Sequence, residues 1–133
     1  MRNVVLLACL VAVGTTPVRG QERDTGFMVH QLSVCPGQNM AEINELNEVG
    51  YRILDDLVSE GMLRAWYDLR HGWGDEWNVG IVTVAESHRA WLDYWAEYLR
   101  RFRAEAPGAI ARFGELCTLH KDNMYNVRNM GVG

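Results

Sequence analysis

The chain has 133 residues, a length for one domain, with 48% hydrophobic and 23% charged residues. Five Trp and five Tyr set it apart from a disordered chain. The net charge is −4, and it becomes −6 once residues 1–20, which carry Arg2 and Arg19 and no acids, are set aside; such a surface excludes the basic footprint of a nucleic-acid binder.

Residues 1–20 read as a secretory signal peptide. Arg2 supplies a short basic region, Val4 to Val13 is an unbroken apolar run, and Val18 and Gly20 stand where a cleavage site has small residues. The run is short for a bilayer span, so an N-terminal membrane anchor is the alternative rather than the first reading. A lipobox-like Leu6-Leu7-Ala8-Cys9 has almost no apolar run before it. The implied location is periplasmic or extracellular. Residues 21–26 are polar and expected to be a flexible mature terminus, with one domain over residues 27–133.

Phe27 to Val34 is the first predicted strand. Phe27, Val29, Gln31 and Ser33 share one side, and Met28, His30, Leu32 and Val34 the other. Cys35-Pro36-Gly37 stops it. Gln38 to Glu60 is a helix on the spacing of Met40, Ile43, Leu46, Gly50, Ile53 and Leu57, ended by Gly61. Gly50 inside a helix costs about 1 kcal/mol against alanine, so a close neighbour is expected there. Met62 to Arg70 is the second strand, with Leu63, Ala65, Tyr67 and Leu69 on its apolar face. His71 to Glu76 is a glycine-bearing hairpin loop, and Trp77 to Val84 is the third strand.

Ser87 caps a second helix, His88 to Arg103, with Trp91, Leu92, Trp95, Tyr98, Leu99 and Phe102 on one stripe. Arg100, Arg101 and Arg103 lie beside Glu97 and Glu105, as on a solvated helix face. Pro107-Gly108 breaks the helix. Ala109 to about Leu119 is a shorter one, and the tail holds a fourth strand around Met124 to Val127.

The order β-α-β-β-α-(α)-β makes an α+β, ferredoxin-like βαββαβ sandwich, with helices on one face of an antiparallel sheet. The right-handed crossover places the third strand between the first and second. The uncovered apolar sheet face calls for a partner, so a homodimer is expected.

The strand into Pro-Gly and a long helix, then LVSEGML running into a strand, then HGWGDEWNV and an aromatic second helix, resemble the dimeric α/β-barrel superfamily over roughly Phe27 to Phe102. Its members include monooxygenases of antibiotic biosynthesis, haem-degrading monooxygenases and chlorite dismutase-like proteins. The resemblance implies two sheets packed face to face, and in the monooxygenase-like members a pocket between helices and sheet. It also places the ends of the first strand and the start of the fourth side by side, which implies a Cys35–Cys117 disulfide, with two buried thiols as the alternative. The haem-degrading members use an Asn, a Trp and a His. Here the first strand has no asparagine, with His30 and Gln31 in its place, and His88 matches the histidine only loosely. Haem therefore fits poorly, and no cofactor or metal is implied.

Candidate ligand-binding residues are His30, Trp66, Tyr67, His71, Trp77, Asn78 and His120. A Trp beside an amide and an imidazole suits the wall of a pocket for a flat organic molecule. Each histidine also has an ordinary structural role open to it: His30 in the core, His88 at the surface, and His120 and Asp122 in a loop unless that stretch is extended. A Ser/His/Asp set drawn from Ser33 or Ser59 lacks a nucleophile elbow and is discounted. Asp55-Asp56 and Asp75-Glu76 are adjacent rather than facing. Three functions stand open: a homodimer binding a small apolar or aromatic molecule, a cofactor-independent monooxygenase using Trp77, Asn78 and a histidine, and a structural or interaction protein without a ligand.

Overall fold

The computed structural model describes residues 25–74 and 76–129. The proposed signal segment therefore lies outside the described residues, as do residues 21–24, Asp75 and residues 130–133. Of the stretch expected to be loose, Thr25 and Gly26 are described. The Thr25 N–H donates to the Val127 carbonyl at 2.6 Å, and Gly26 opens the first strand.

Four strands, β1 (Gly26–Val34), β2 (Ala65–Arg70), β3 (Val79–Ala85) and β4 (Leu119–Val127), form one sheet in the order β2-β3-β1-β4. Every neighbouring pair is antiparallel. Three helices, α1 (Met40–Ser59), α2 (His88–Glu105) and α3 (Ala109–Leu116), complete the expected βαββαβ order. The third strand sits between the first and second, as the crossover rule requires.

The strand parity decides which residues meet the helices. Phe27, Val29, Gln31 and Ser33 of β1 pair with Ala85, Thr83, Ile81 and Val79 of β3, and with Asn126, Met124, Asp122 and His120 of β4. The buried cluster of Phe27, Val29, Ala85, Ile53, Leu57, Trp91 and Tyr94 places this side of the sheet under α1 and α2. The other side carries His30, Leu32, Tyr67, Leu69, Val82 and Tyr125, and among the described residues no helix covers it.

The second strand starts three residues later than its sequence pattern indicates. Gly61, at φ +78°, donates its N–H to Val58 O, while Met62 donates to Leu57 O. This pair of hydrogen bonds is the Schellman closure of α1, and it takes the residues that would otherwise extend the strand. Leu63 then tucks into the core at 3% exposure. The fourth strand is longer than expected, because its nine residues all find partners on β1 despite their polar sequence. Ser87 caps α2 by accepting the Ala90 N–H at 3.2 Å.

Gly50 has the close neighbour its place in a helix calls for. A Cβ there would stand 2.7 Å from the Tyr98 hydroxyl. The glycine lets α1 and α2 approach, and the aromatic side chains of α2 fill the gap. Trp91, Trp95, Tyr98 and Phe102 stack in sequence with centroids 5.6, 5.4 and 5.6 Å apart and planes within 13°. A disulfide joins Cys35, just after β1, to Cys117, just before β4.

Candidate functional site

The helix-facing side of the sheet divides into two halves. Toward the Phe27 end it is filled: Val29 and Ala85 are fully buried, and Trp91 Nε1 donates to Thr83 Oγ1 at 2.9 Å. Toward the Ser33 end the inward side chains turn polar or small, with Gln31, Ser33 and Val79. There a second buried cluster, Cys35, Ile43, Val79 and Leu116, ties α1 and α3 to the strands, and beside it a cavity of about 560 Å³ remains. That volume falls within the roughly 300–1,000 Å³ of small-molecule sites.

Three helices face the sheet across the cavity. From α1 come Asn47, Gly50, Tyr51 and Leu54; from α2 come Tyr94, Trp95, Tyr98 and Phe102; from α3 come Ile110, Phe113 and Gly114. Arg112 of α3 grips Glu42 of α1 through two bonds of 2.6 and 2.8 Å, which holds α3 across the opening. This exposed pair fixes geometry more than it stabilises. His120 and Asp122 of β4 complete the wall on the sheet's edge.

The polar groups of the cavity differ in how they are satisfied. Asn47 is 9% exposed, and its Nδ2 is shut off from solvent and has no partner among the described residues. A buried donor without an acceptor is a cost to the fold. Ser33 Oγ lies 3.1 Å from His120 Nδ1, and His120 Nε2 lies 3.0 Å from Asp122 Oδ1. Burial pushes the Tyr98 hydroxyl up to about 12, with Tyr51 adding to the effect. Burial also raises Tyr51 to about 12, reinforced by its hydrogen bond to Asp68. Tyr94 is raised further, by burial first and Tyr98 second. All three phenols stay neutral and serve as hydrogen-bonding groups on an apolar wall.

Among the residues expected from sequence to bind a ligand, only His120 lines this cavity. Trp66 is on the helix side, stacked on Tyr51 at 4.9 Å with its Nε1 donating to Asp55. Tyr67 faces away from the helices and is 54% exposed. His71 is exposed in the hairpin loop, and Trp77 is half-buried ahead of β3. The Asn78 amide is occupied structurally: its Oδ1 accepts from Cys35 N at 2.8 Å and its Nδ2 donates to Cys35 O at 2.7 Å. His30 lies on the bare sheet face beside Gly80, with its Nε2 buried and unpaired. Sequence reasoning missed Gln31, Ser33, Asn47, Tyr94, Tyr98 and Asp122 as lining residues. Polar Gln31 and Ser33, continuing the face begun by Phe27 and Val29, were the available signal.

Among the described residues no group of three His, Cys, Asp or Glu side chains is placed to hold a metal ion. No helix among them is long and apolar enough to cross a membrane.

No family model matches this chain, and no curated protein matches it. Solved structures do. A dimeric ferredoxin-like protein from an uncultured marine organism is 14% identical with a TM-score of 0.64, over 85% of this chain and 96% of that one. The fold is ferredoxin-like. A NIPSNAP family protein from Agrobacterium tumefaciens is 15% identical with a TM-score of 0.61, over 82% of this chain and 91% of that one. SnoaB from Streptomyces nogalater, a cofactor-independent oxygenase, is 14% identical with a TM-score of 0.52, over 81% and 97%. Dimeric and monooxygenase-like proteins thus share this ferredoxin-like architecture, and at these identities the likeness speaks for the fold.

Proposed function

We propose that this chain is an exported homodimer that binds a small, flat, largely apolar organic molecule between its helices and its sheet. The cavity carries the reading: stacked aromatic side chains on one wall and the polar Gln31, Ser33, His120 and Asp122 on the other. The disulfide supports export, since such bonds persist in oxidising compartments.

The bare sheet face supports the dimer. Tyr67, Leu69 and Tyr125 lie exposed on it. A second copy docking face to face covers them. The similar protein from the marine organism is described as dimeric.

Binding of 2-naphthol, followed by quenching of tryptophan fluorescence, tests the ligand site. Saturable quenching in the wild type, weakened more than about tenfold in Gly114→Trp, supports it, because the new ring blocks a cavity wall. Absence of saturable binding by naphthols, quinones and flat heterocycles would sink it. Native mass spectrometry of the non-reduced protein tests the dimer. A doubled mass that reverts to a single one in Leu69→Asp supports the face-to-face pairing, and a monomeric wild type refutes it.

A cofactor-independent monooxygenase is the second reading, favoured by the likeness to SnoaB. Trp77 and Asn78 are poor carriers for it, because the Asn78 amide is spent on Cys35. Oxygen uptake with hydroquinone-type substrates is the measurement that checks it.

A further inference from the structure

The polar wall of the cavity holds a connected chain of three side chains that ligand binding alone does not use. Ser33 stands directly opposite His120 in the β1–β4 register, and Asp122 is two residues further along the same face. Ser33 Oγ is 3.1 Å from His120 Nδ1, and His120 Nε2 is 3.0 Å from Asp122 Oδ1. We propose that Ser33, His120 and Asp122 act as nucleophile, general base and orienting carboxylate, giving the protein an acyl-transfer activity on small aromatic esters. The proposal rests on the cavity being a ligand site, as argued above.

The hydrogen-bonding chemistry fixes the roles. An ionised carboxylate only accepts, so Nε2 carries the imidazole hydrogen and Nδ1 presents its lone pair. Ser33 therefore donates its hydrogen to Nδ1, and its oxygen lone pairs are left for an electrophile. The two ring nitrogens are exchanged relative to the serine-protease arrangement, which turns the ring without changing the proton logic. Ser33 is 6% exposed and lines the cavity, while His120 and Asp122 reach solvent. The nucleophile is thus inside and the base communicates with the outside.

The surroundings hold this arrangement in place. The Cys35–Cys117 disulfide joins the two strands two residues from Ser33 and three from His120, and Thr118 N donates to Val34 O at 2.8 Å between them. The register that aligns Ser33 with His120 is thereby fixed covalently.

The reaction runs in two balanced halves. Ser33 Oγ bonds to the acyl carbon as its proton passes to His120 Nδ1. The carbon–oxygen bond to the aryl group breaks, and the departing aryloxide takes that proton and leaves as a phenol. Water then attacks the acyl-serine and gives a proton to Nδ1. The serine oxygen leaves with the proton, and a carboxylic acid is released. No oxidant or reductant enters. The stacked aromatic wall of Trp95, Tyr98 and Phe102 suits the aryl part of such an ester.

The test uses the full, non-reduced protein with a fluorophosphonate reagent, intact-mass and peptide analysis, and 2-naphthyl acetate as substrate. A single adduct on Ser33, absent from Ser33→Ala, is expected. His120→Ala should slow labelling and ester turnover by about 10²- to 10⁴-fold, the usual contribution of a positioned base. Asp122 acts as a positioning residue: Asp122→Asn should lower kcat with KM unchanged, and Asp122→Glu should recover part of it. Failure of the wild type to be labelled at Ser33 while it still binds 2-naphthol overturns the acyl transfer and leaves the binding site standing. Failure of both removes the two together. An adduct on Ser33 whose rate is indifferent to His120→Ala also overturns it.

Discussion

The two ends of the sandwich are built on different principles. Around Phe27, Val29 and Thr83 the space between sheet and helices is filled by large side chains, with Trp91 at 4% and Tyr94 at 1% exposure. Around Gln31 and Ser33 it is hollow, and a smaller cluster of Ile43, Val79 and Leu116 packs there around the Cys35–Cys117 disulfide. The comparison shows a chain that relies on a large core at one end and on a small core reinforced by a covalent link where it keeps a cavity. A cavity forfeits dispersion contacts along its walls, so that end needs another source of order.

The sharpest way to break this contrast is at the filled end. Trp91→Ala should cost about 3–5 kcal/mol in denaturant unfolding, because it empties a packed site and removes the Trp91–Thr83 hydrogen bond. Phe113→Ala, on the cavity wall, should cost less than half of that; equal losses would mean that the hollow end is packed after all. The staple comes next. Replacing Cys35 and Cys117 together by serine should cost about 2–4 kcal/mol, since the link closes a separation of 82 residues. It should also weaken ligand binding more than Phe113→Ala does.

Gly50→Ala should cost about 1–3 kcal/mol by forcing its Cβ against the Tyr98 hydroxyl. In a Tyr98→Phe background the same change should be neutral or mildly stabilising, as helix propensity then dominates. A cost that persists in that background would place the clash elsewhere. The smallest effect is alkaline. The folded state keeps Tyr51 and Tyr98 neutral up to about 12, whereas the unfolded chain ionises them near 10. Stability from this source is whole below pH 10 and is lost as the pH rises toward 12. Phenolate absorbance that appears together with unfolding in this window is the expected signature.

Much of the architecture was legible because it follows from periodicity. The Gly61 stop, the Ser87 cap and the need for a neighbour at Gly50 each come from local rules and each is met, whereas the α2 stripe holds for Trp91, Trp95, Tyr98 and Phe102 but not for Leu92, which is 45% exposed while Tyr94 is buried. The fourth strand was only partly legible. Lys121, Asn123 and Asn126 dilute its hydrophobic alternation, and its identity rests on long-range pairing with β1 rather than on propensity. That uncertainty concealed the site. Without the extent of β4, neither the His120–Asp122 pairing nor the alignment of Ser33 with His120 can be read, and the discounting of Ser33 for want of an elbow followed. The aromatic candidates drew attention to the hairpin. Trp66 instead packs on Tyr51, and Asn78 serves the backbone of Cys35.

The pairing of β1 with β4 also governs the order of assembly. Gly26 lies opposite Val127, so one edge of β1 finds its partner only near the far end of the described chain. During synthesis β1, α1, β2, β3 and α2 emerge with that edge still open. Contacts of such large sequence separation are late and slow to form. A chain interrupted before Leu119 would present an unpaired strand edge, a template for association with other chains. The polar residues of β4 that dilute its pattern in the sequence leave its pairing to be set by the waiting β1 edge and by the disulfide beside it.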